Sequence, residues 1–149
     1  MESLTNIKTS IFATIGVLGS IITGLLGGWD AALQTLLIFM VIDYILGLIV
    51  AGVFHKSKKT ETGTLESLAG WKGICKKVVT LLMVLVGTQL DKIISADYVR
   101  YGIIIAFIVN ELISITENAG LMGLPIPQLL INAIDILKKQ KPTEKEVKE

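Results

Sequence analysis

Residues 33–54 read Leu33-Gln-Thr-Leu-Leu-Ile-Phe-Met-Val-Ile-Asp43-Tyr-Ile-Leu-Gly47-Leu-Ile-Val-Ala-Gly-Val-Phe54, and they decide the fold class. This stretch holds 14 Leu, Ile, Val or Phe residues and a single charge, Asp43. On a membrane-insertion scale those side chains are worth roughly −6 kcal/mol against about +3 for a central Asp, so the segment inserts with its carboxylate aboard. Together with Ala31 and Ala32 it forms an apolar run over 31–54, long enough to cross about 30 Å of hydrocarbon as a helix.

Three further stretches resemble it. Residues 9–29 are 21 consecutive positions without a charge. With Lys8 alone as a basic flank and no shorter apolar centre, they read as an uncleaved anchor and not a signal peptide. A third span covers 78–95 and a fourth 98–116, each with ten Leu, Ile, Val or Phe residues. The fourth also carries Asn110 and Glu111, which leaves an insertion margin of only about 1–2 kcal/mol, so it requires partner helices. The expected fold is an all-α integral membrane protein of about four spans forming a single membrane domain over 1–149. A three-span form with an outer N-terminus stays open, because only Lys8 precedes the first span.

The whole chain fits this class. It is 52% hydrophobic and 18% charged, with a mean hydropathy of +0.67, greasier than a soluble domain. A net charge of +1 leaves no field for nucleic acid. One cysteine, Cys75, excludes an internal disulfide, and one histidine, His55, excludes an imidazole metal cluster or a Ser-His-Asp or Cys-His pair. Neither enzyme, metal nor cofactor is expected. Cys75 reads as a small buried residue.

Lysines orient the spans. Residues 55–77 hold Lys56, Lys58, Lys59, Lys72, Lys76 and Lys77, which marks them as a cytosolic loop; the turn at Trp29-Asp30 has none. The link carrying Asp91, Lys92, Asp97 and Arg100 is balanced and falls outside. Gly123, Pro125 and Pro127 end the fourth helix near Gly120. Beyond them Leu130, Ala133, Ile134 and Leu137 recur at helical spacing, the pattern of an amphipathic surface helix, followed by a basic, unstructured tail; together these fill 127–149. Both termini are then cytosolic.

Two faces stand out as candidates for function. In the first span Ala13, Gly16, Ser20, Thr23, Gly24 and Gly27 share an arc of ~100°. Gly16, Ser20, Gly24 and Gly28 repeat every fourth position, the pattern that lets helix backbones approach closely in lipid, within the chain or between copies. In the second and fourth spans Asp43 lies above Gly47, while Asn110, Glu111, Ser114, Glu117 and Asn118 form a polar arc. An intramembrane carboxylate is expensive to insert and marks a candidate site, either as a lock within the bundle or as the lining of an aqueous path. Phe39-Met-Val-Ile-Asp43 and Phe107-Ile-Val-Asn-Glu111 echo each other faintly.

Ile42-Asp43-Tyr44-Ile45-Leu46-Gly47, Ser67-Leu-Ala-Gly70-Trp-Lys-Gly73-Ile-Cys-Lys76-Lys77, Leu90-Asp91, the run from Asn110 to Asn118 and Gly123-Leu-Pro125-Ile-Pro127 follow one another in a recognisable order. Over 36–141 the chain resembles the phage holins of family 4, the toxin-secretion and phage-lysis holins typified by clostridial members. The resemblance implies a phage or prophage protein that accumulates in the cytoplasmic membrane. It then assembles as a homo-oligomer into lesions through which an endolysin, or a toxin, escapes and the host lyses. Endolysin is a functional partner that need not touch it, and an antiholin is left open. The alternative reading is a small gated ion or solute channel or transporter subunit using Asp43 and Glu111.

Overall fold

A computed structural model describes residues 2–140 of the chain. Five α-helices follow in order: α1 (Glu2–Leu25), α2 (Ala31–Ile49), α3 (Ser67–Ile94), α4 (Tyr98–Leu121) and α5 (Gln128–Lys139), and no strand occurs among the described residues. A π-helical turn, Val50–Phe54, prolongs α2. Four helices are long and apolar enough to cross a membrane: Leu4–Leu25, Ala31–Phe54, Ser67–Ile94 and Tyr98–Leu121.

The breaks between helices have local causes. After Leu25 the chain turns through Gly27 and Gly28, at φ 89° and 100°, a backbone region that a Cβ makes costly. Asp30 then caps α2, its carboxylate accepting from the Leu33 N–H at 2.8 Å, which satisfies one of the free donors of the first turn. Gly28 therefore belongs to the turn, and the every-fourth stripe of small residues stops at Gly24. Asp91, on α3, caps α4: its two oxygens accept from the Val99 and Arg100 N–H groups at 3.0 and 2.9 Å.

The third helix starts at Ser67 and not near residue 78, so the connection expected over 55–77 is confined to 55–66. Its far half continues α3 because Ser67-Leu-Ala-Gly-Trp-Lys contains no proline, and hydropathy marks only the part of a helix immersed in apolar surroundings. The first helix likewise ends four positions before the expected 29, at Leu25.

The bundle is organised on α4, which packs against both α2 and α3, while those two scarcely touch. The core joins Leu33, Leu36 and Met40 of α2, Val84 of α3, and Ile104, Ile108 and Leu112 of α4. Gly87 sets the α3–α4 distance: a Cβ there would meet the Ile103 side chain at 2.7 Å and the Arg100 Cα at 3.1 Å. The amphipathic helix expected after Pro127 is present as α5, with its apolar stripe turned to the bundle. Leu130, Ile134 and Leu137 pack on the core, with Ile134 buried, and it is Leu129 and Ile136 that stay exposed. Cys75 is exposed, not buried. The expected tail beyond Gln140 lies outside the described residues.

α1 stands apart. Every residue from Leu4 to Ile22 is exposed, and nothing comes within 4 Å of where a Cβ on Gly16 or Gly24 would stand. The small-residue face is thus not packed against any other helix among the described residues.

Candidate functional site

The buried face of α3 carries Thr80, Val84, Gly87, Thr88 and Asp91, and one turn before Thr80 on that face lies Lys77. The threonines need no partner across the bundle: Thr80 and Thr88 hydroxyls donate to the Lys76 and Val84 carbonyls of their own helix, at 3.1 and 3.0 Å. Lys77 does. Its ammonium donates to Asp43 Oδ2 of α2 at 3.0 Å and to Glu111 Oε2 of α4 at 2.7 Å. The second Asp43 oxygen accepts from Asn118 Nδ2 at 3.2 Å. Side-chain exposures of 16% for Lys77, 9% for Asp43 and 13% for Glu111 put all three largely out of water.

This cluster ties three helices at one point. Two carboxylates share one ammonium, so the lysine cancels half of their charge when both are ionised, and the Asn118 amide adds a neutral donor. Ion pairs in such surroundings tolerate removal of a whole set better than removal of one member, which strands a buried charge. The faint echo between Phe39–Asp43 and Phe107–Glu111 ends, in space, on the same lysine.

Around the cluster is a cavity of about 850 Å³ lined by Asp43, Gly47, Asn110, Glu111 and Ser114 among others. Five of the residues singled out in the sequence thus converge, and Asn118 joins them through Asp43. Glu117 is exposed and outside the lining. Gly16, Ser20 and Gly24 lie on α1, remote from this site, and Gly28 lies in the turn. The polar arc of α4 is therefore divided: Glu111 and Asn118 turn toward the bundle, whereas Asn110 and Glu117 are exposed.

Lys77 was read from the sequence as one of six loop lysines, and here it is the centre of the site. The signal was its spacing: Lys77, Thr80, Val84, Gly87, Thr88 and Asp91 recur every three or four residues, the stripe of one helix face. Arg100 also carries more than loop charge. It donates to the Leu26 carbonyl, to Asp30 Oδ2 and, at 3.3 Å, to the Gly28 carbonyl, so it holds the α1–α2 turn against the start of α4. Burial pushes the Asp30 carboxyl up, but the Arg100 hydrogen bond, the Leu33 N–H and the guanidinium charge outweigh it and hold the group below the ordinary carboxylate range.

Helices of membrane-spanning length, a charge cluster shared between them and a fully exposed first helix define a small polytopic helical membrane protein. The model of the bacteriophage holin family matches residues 20–139, and the chain belongs to that family, phage holin family 4. An uncharacterized protein of Halalkalibacterium halodurans is 40% identical over 128 residues, 82% of this chain and 89% of its own length. An uncharacterized 14.9 kDa protein of Clostridium perfringens is 36% identical over 144 residues, 95% of this chain and all of its own. A probable holin of Bacillus phage phi105 is 29% identical over 117 residues, 76% of this chain and 81% of its own. No solved structure matches the chain.

Proposed function

We propose that this protein is a holin of the bacterial cytoplasmic membrane that self-associates, opens lesions and lets a cytosolic endolysin, or a toxin, leave the cell. The observation that carries the reading is α1: a helix of membrane-crossing length whose Gly16-Ser20-Gly24 face has no neighbour among the described residues. In lipid, small residues at this spacing favour close helix contact, and a second copy supplies the missing face. Membership of the family and the probable holin of phage phi105 support the same role.

In this reading the lysines of the 55–66 loop, Lys72 and Lys76, with Lys138 and Lys139, stay on the cytosolic side. The Lys77 cluster keeps each protomer closed until assembly, and exchange of its partners between copies brings carboxylates to the edge of the lesion. An antiholin would act by occupying α1. Catalysis has no part in it.

Induced expression beside a cytosolic endolysin without an export signal of its own tests the proposal. Abrupt lysis at a reproducible time is the expected result, and continued growth with the protein in the membrane overturns it. Glu111→Gln and Gly24→Leu delay or abolish lysis without reducing insertion. The cavity holding Asp43 and Glu111 also suits a selective ion path, the second reading; ion-specific conductance in cells that survive would favour that instead.

A further inference from the structure

Because α2 and α3 both lean on α4 and scarcely on each other, a cleft runs between them. Tyr44 and Lys77 divide it, for both line the polar cavity described above and a second, narrower hollow of about 300 Å³ beside it. The Tyr44 ring and hydroxyl lie against Gly70 and Gly73 of α3, 3.6 Å from where a Cβ on either would stand.

The two hollows differ in chemistry. The larger is rimmed by Lys59, Lys72 and Lys76, none of which forms an ion pair among the described residues. Lys59 reaches across α2, its ammonium 3.9 Å from where a Cβ on Gly47 would stand. The acids of that lining, Asp43, Glu66 and Glu111, face four lysines, Lys59, Lys72, Lys76 and Lys77, so with all of them ionised the recess keeps a surplus of positive charge, and the lysines outside the Lys77 cluster lie at its rim. Apart from Lys77 and Tyr44, the smaller hollow is apolar, walled by Leu37, Met40, Ile45, Val78 and Leu81. Basic recesses between membrane helices suit acidic head groups, and the adjoining apolar trough suits an acyl chain.

We propose that this cleft holds one anionic phospholipid, its phosphate head among Lys59, Lys72 and Lys76 and an acyl chain along the trough between α2 and α3. A free phosphate would satisfy the lysines but leave the trough empty, and a neutral lipid would fill the trough but leave the lysines unmatched. The occupant bridges α2 and α3, which touch each other least among α2, α3 and α4, and so stiffens the bundle around Lys77.

The test uses the full-length protein in neutral detergent, with thermal unfolding followed as phosphatidylglycerol, phosphatidylcholine or inorganic phosphate is added. A ligand that binds the folded state alone raises the midpoint, and goes on raising it with the logarithm of its concentration above the Kd. Phosphatidylglycerol raises it in this way, and the other two do not. Lys72→Gln with Lys76→Gln weakens that response roughly thirtyfold, the loss expected from two lysines at a charged lipid surface. Lys138→Gln with Lys139→Gln leaves it unchanged. The proposal is overturned by an equal response to phosphatidylcholine, by an equal response to phosphate alone, by no response to any of the three, or by equal losses in the two lysine pairs.

Discussion

α1 and α4 are both 24 residues long, and both are apolar enough to cross a membrane, yet they meet their surroundings in opposite ways. α4 buries Ile104, Ile105, Ile108, Val109 and Leu112 against two neighbours and settles Glu111 on Lys77. α1 buries none of its membrane-length stretch. The difference shows that hydropathy selects what enters a bilayer but not what packs there. Packing follows from bulky side chains that interlock and from polar groups that must find a partner, and α4 has both. α1 has small residues on one side and lipid-compatible ones on the other, so it needs neither until another helix of the right shape arrives.

The sharpest break in this contrast is Lys77→Met. It strands Asp43 and Glu111 and is expected to lower stability by about 3–5 kcal/mol, read by unfolding in mixed micelles. Adding Asp43→Asn and Glu111→Gln should restore most of the loss, because the whole charged set is then gone; no recovery would mean that the ion pairs are not what joins α2, α3 and α4. Next in size, Gly87→Ala forces α3 away from Arg100 and Ile103, at about 1–3 kcal/mol for an overpacked contact.

A smaller effect is expected at the clasp between α4 and the α1–α2 turn. The Asp30 carboxyl is held below its ordinary value in the folded protein, so its contribution is present at neutral pH and is lost as pH falls below about 4. Its side chain is 46% exposed, and solvent screening limits the contribution to about 0–1 kcal/mol. Asp30→Asn should flatten that part of the acid limb of an unfolding curve. Last, Gly24→Leu should change the stability of the isolated protomer by no more than about 0.5 kcal/mol while altering lysis timing. A large loss of protomer stability would place α1 inside the bundle and erase the contrast.

Much of this was legible in the chain itself. The four apolar runs, a turn at Trp29-Asp30, the stop near Gly120 and the α5 spacing are read from composition and period alone. So is the candidacy of Asp43 and Glu111, since a carboxylate in an apolar run stands out. Lys77 was hidden because a lysine beside Lys76, at the edge of an apolar run, has the signature of interfacial charge; only the helix starting at Ser67 brings it inside. The orientation of α5 escaped for another reason: an amphipathic stripe is equally suited to lipid and to a protein groove, and one chain's sequence does not say which groove is open. Arg100 looked like a balanced loop charge because its acceptors are carbonyls and a carboxylate some seventy positions earlier.

The reach of Asp91 to the first N–H groups of α4 bears on how such a chain is made. A cap supplied from eight and nine residues upstream lets α3 and α4 close on each other as soon as both have left the ribosome. The counter-ion for Glu111 rides on the first arm of that hairpin. The span least suited to oil can therefore enter it with its counter-ion already at hand.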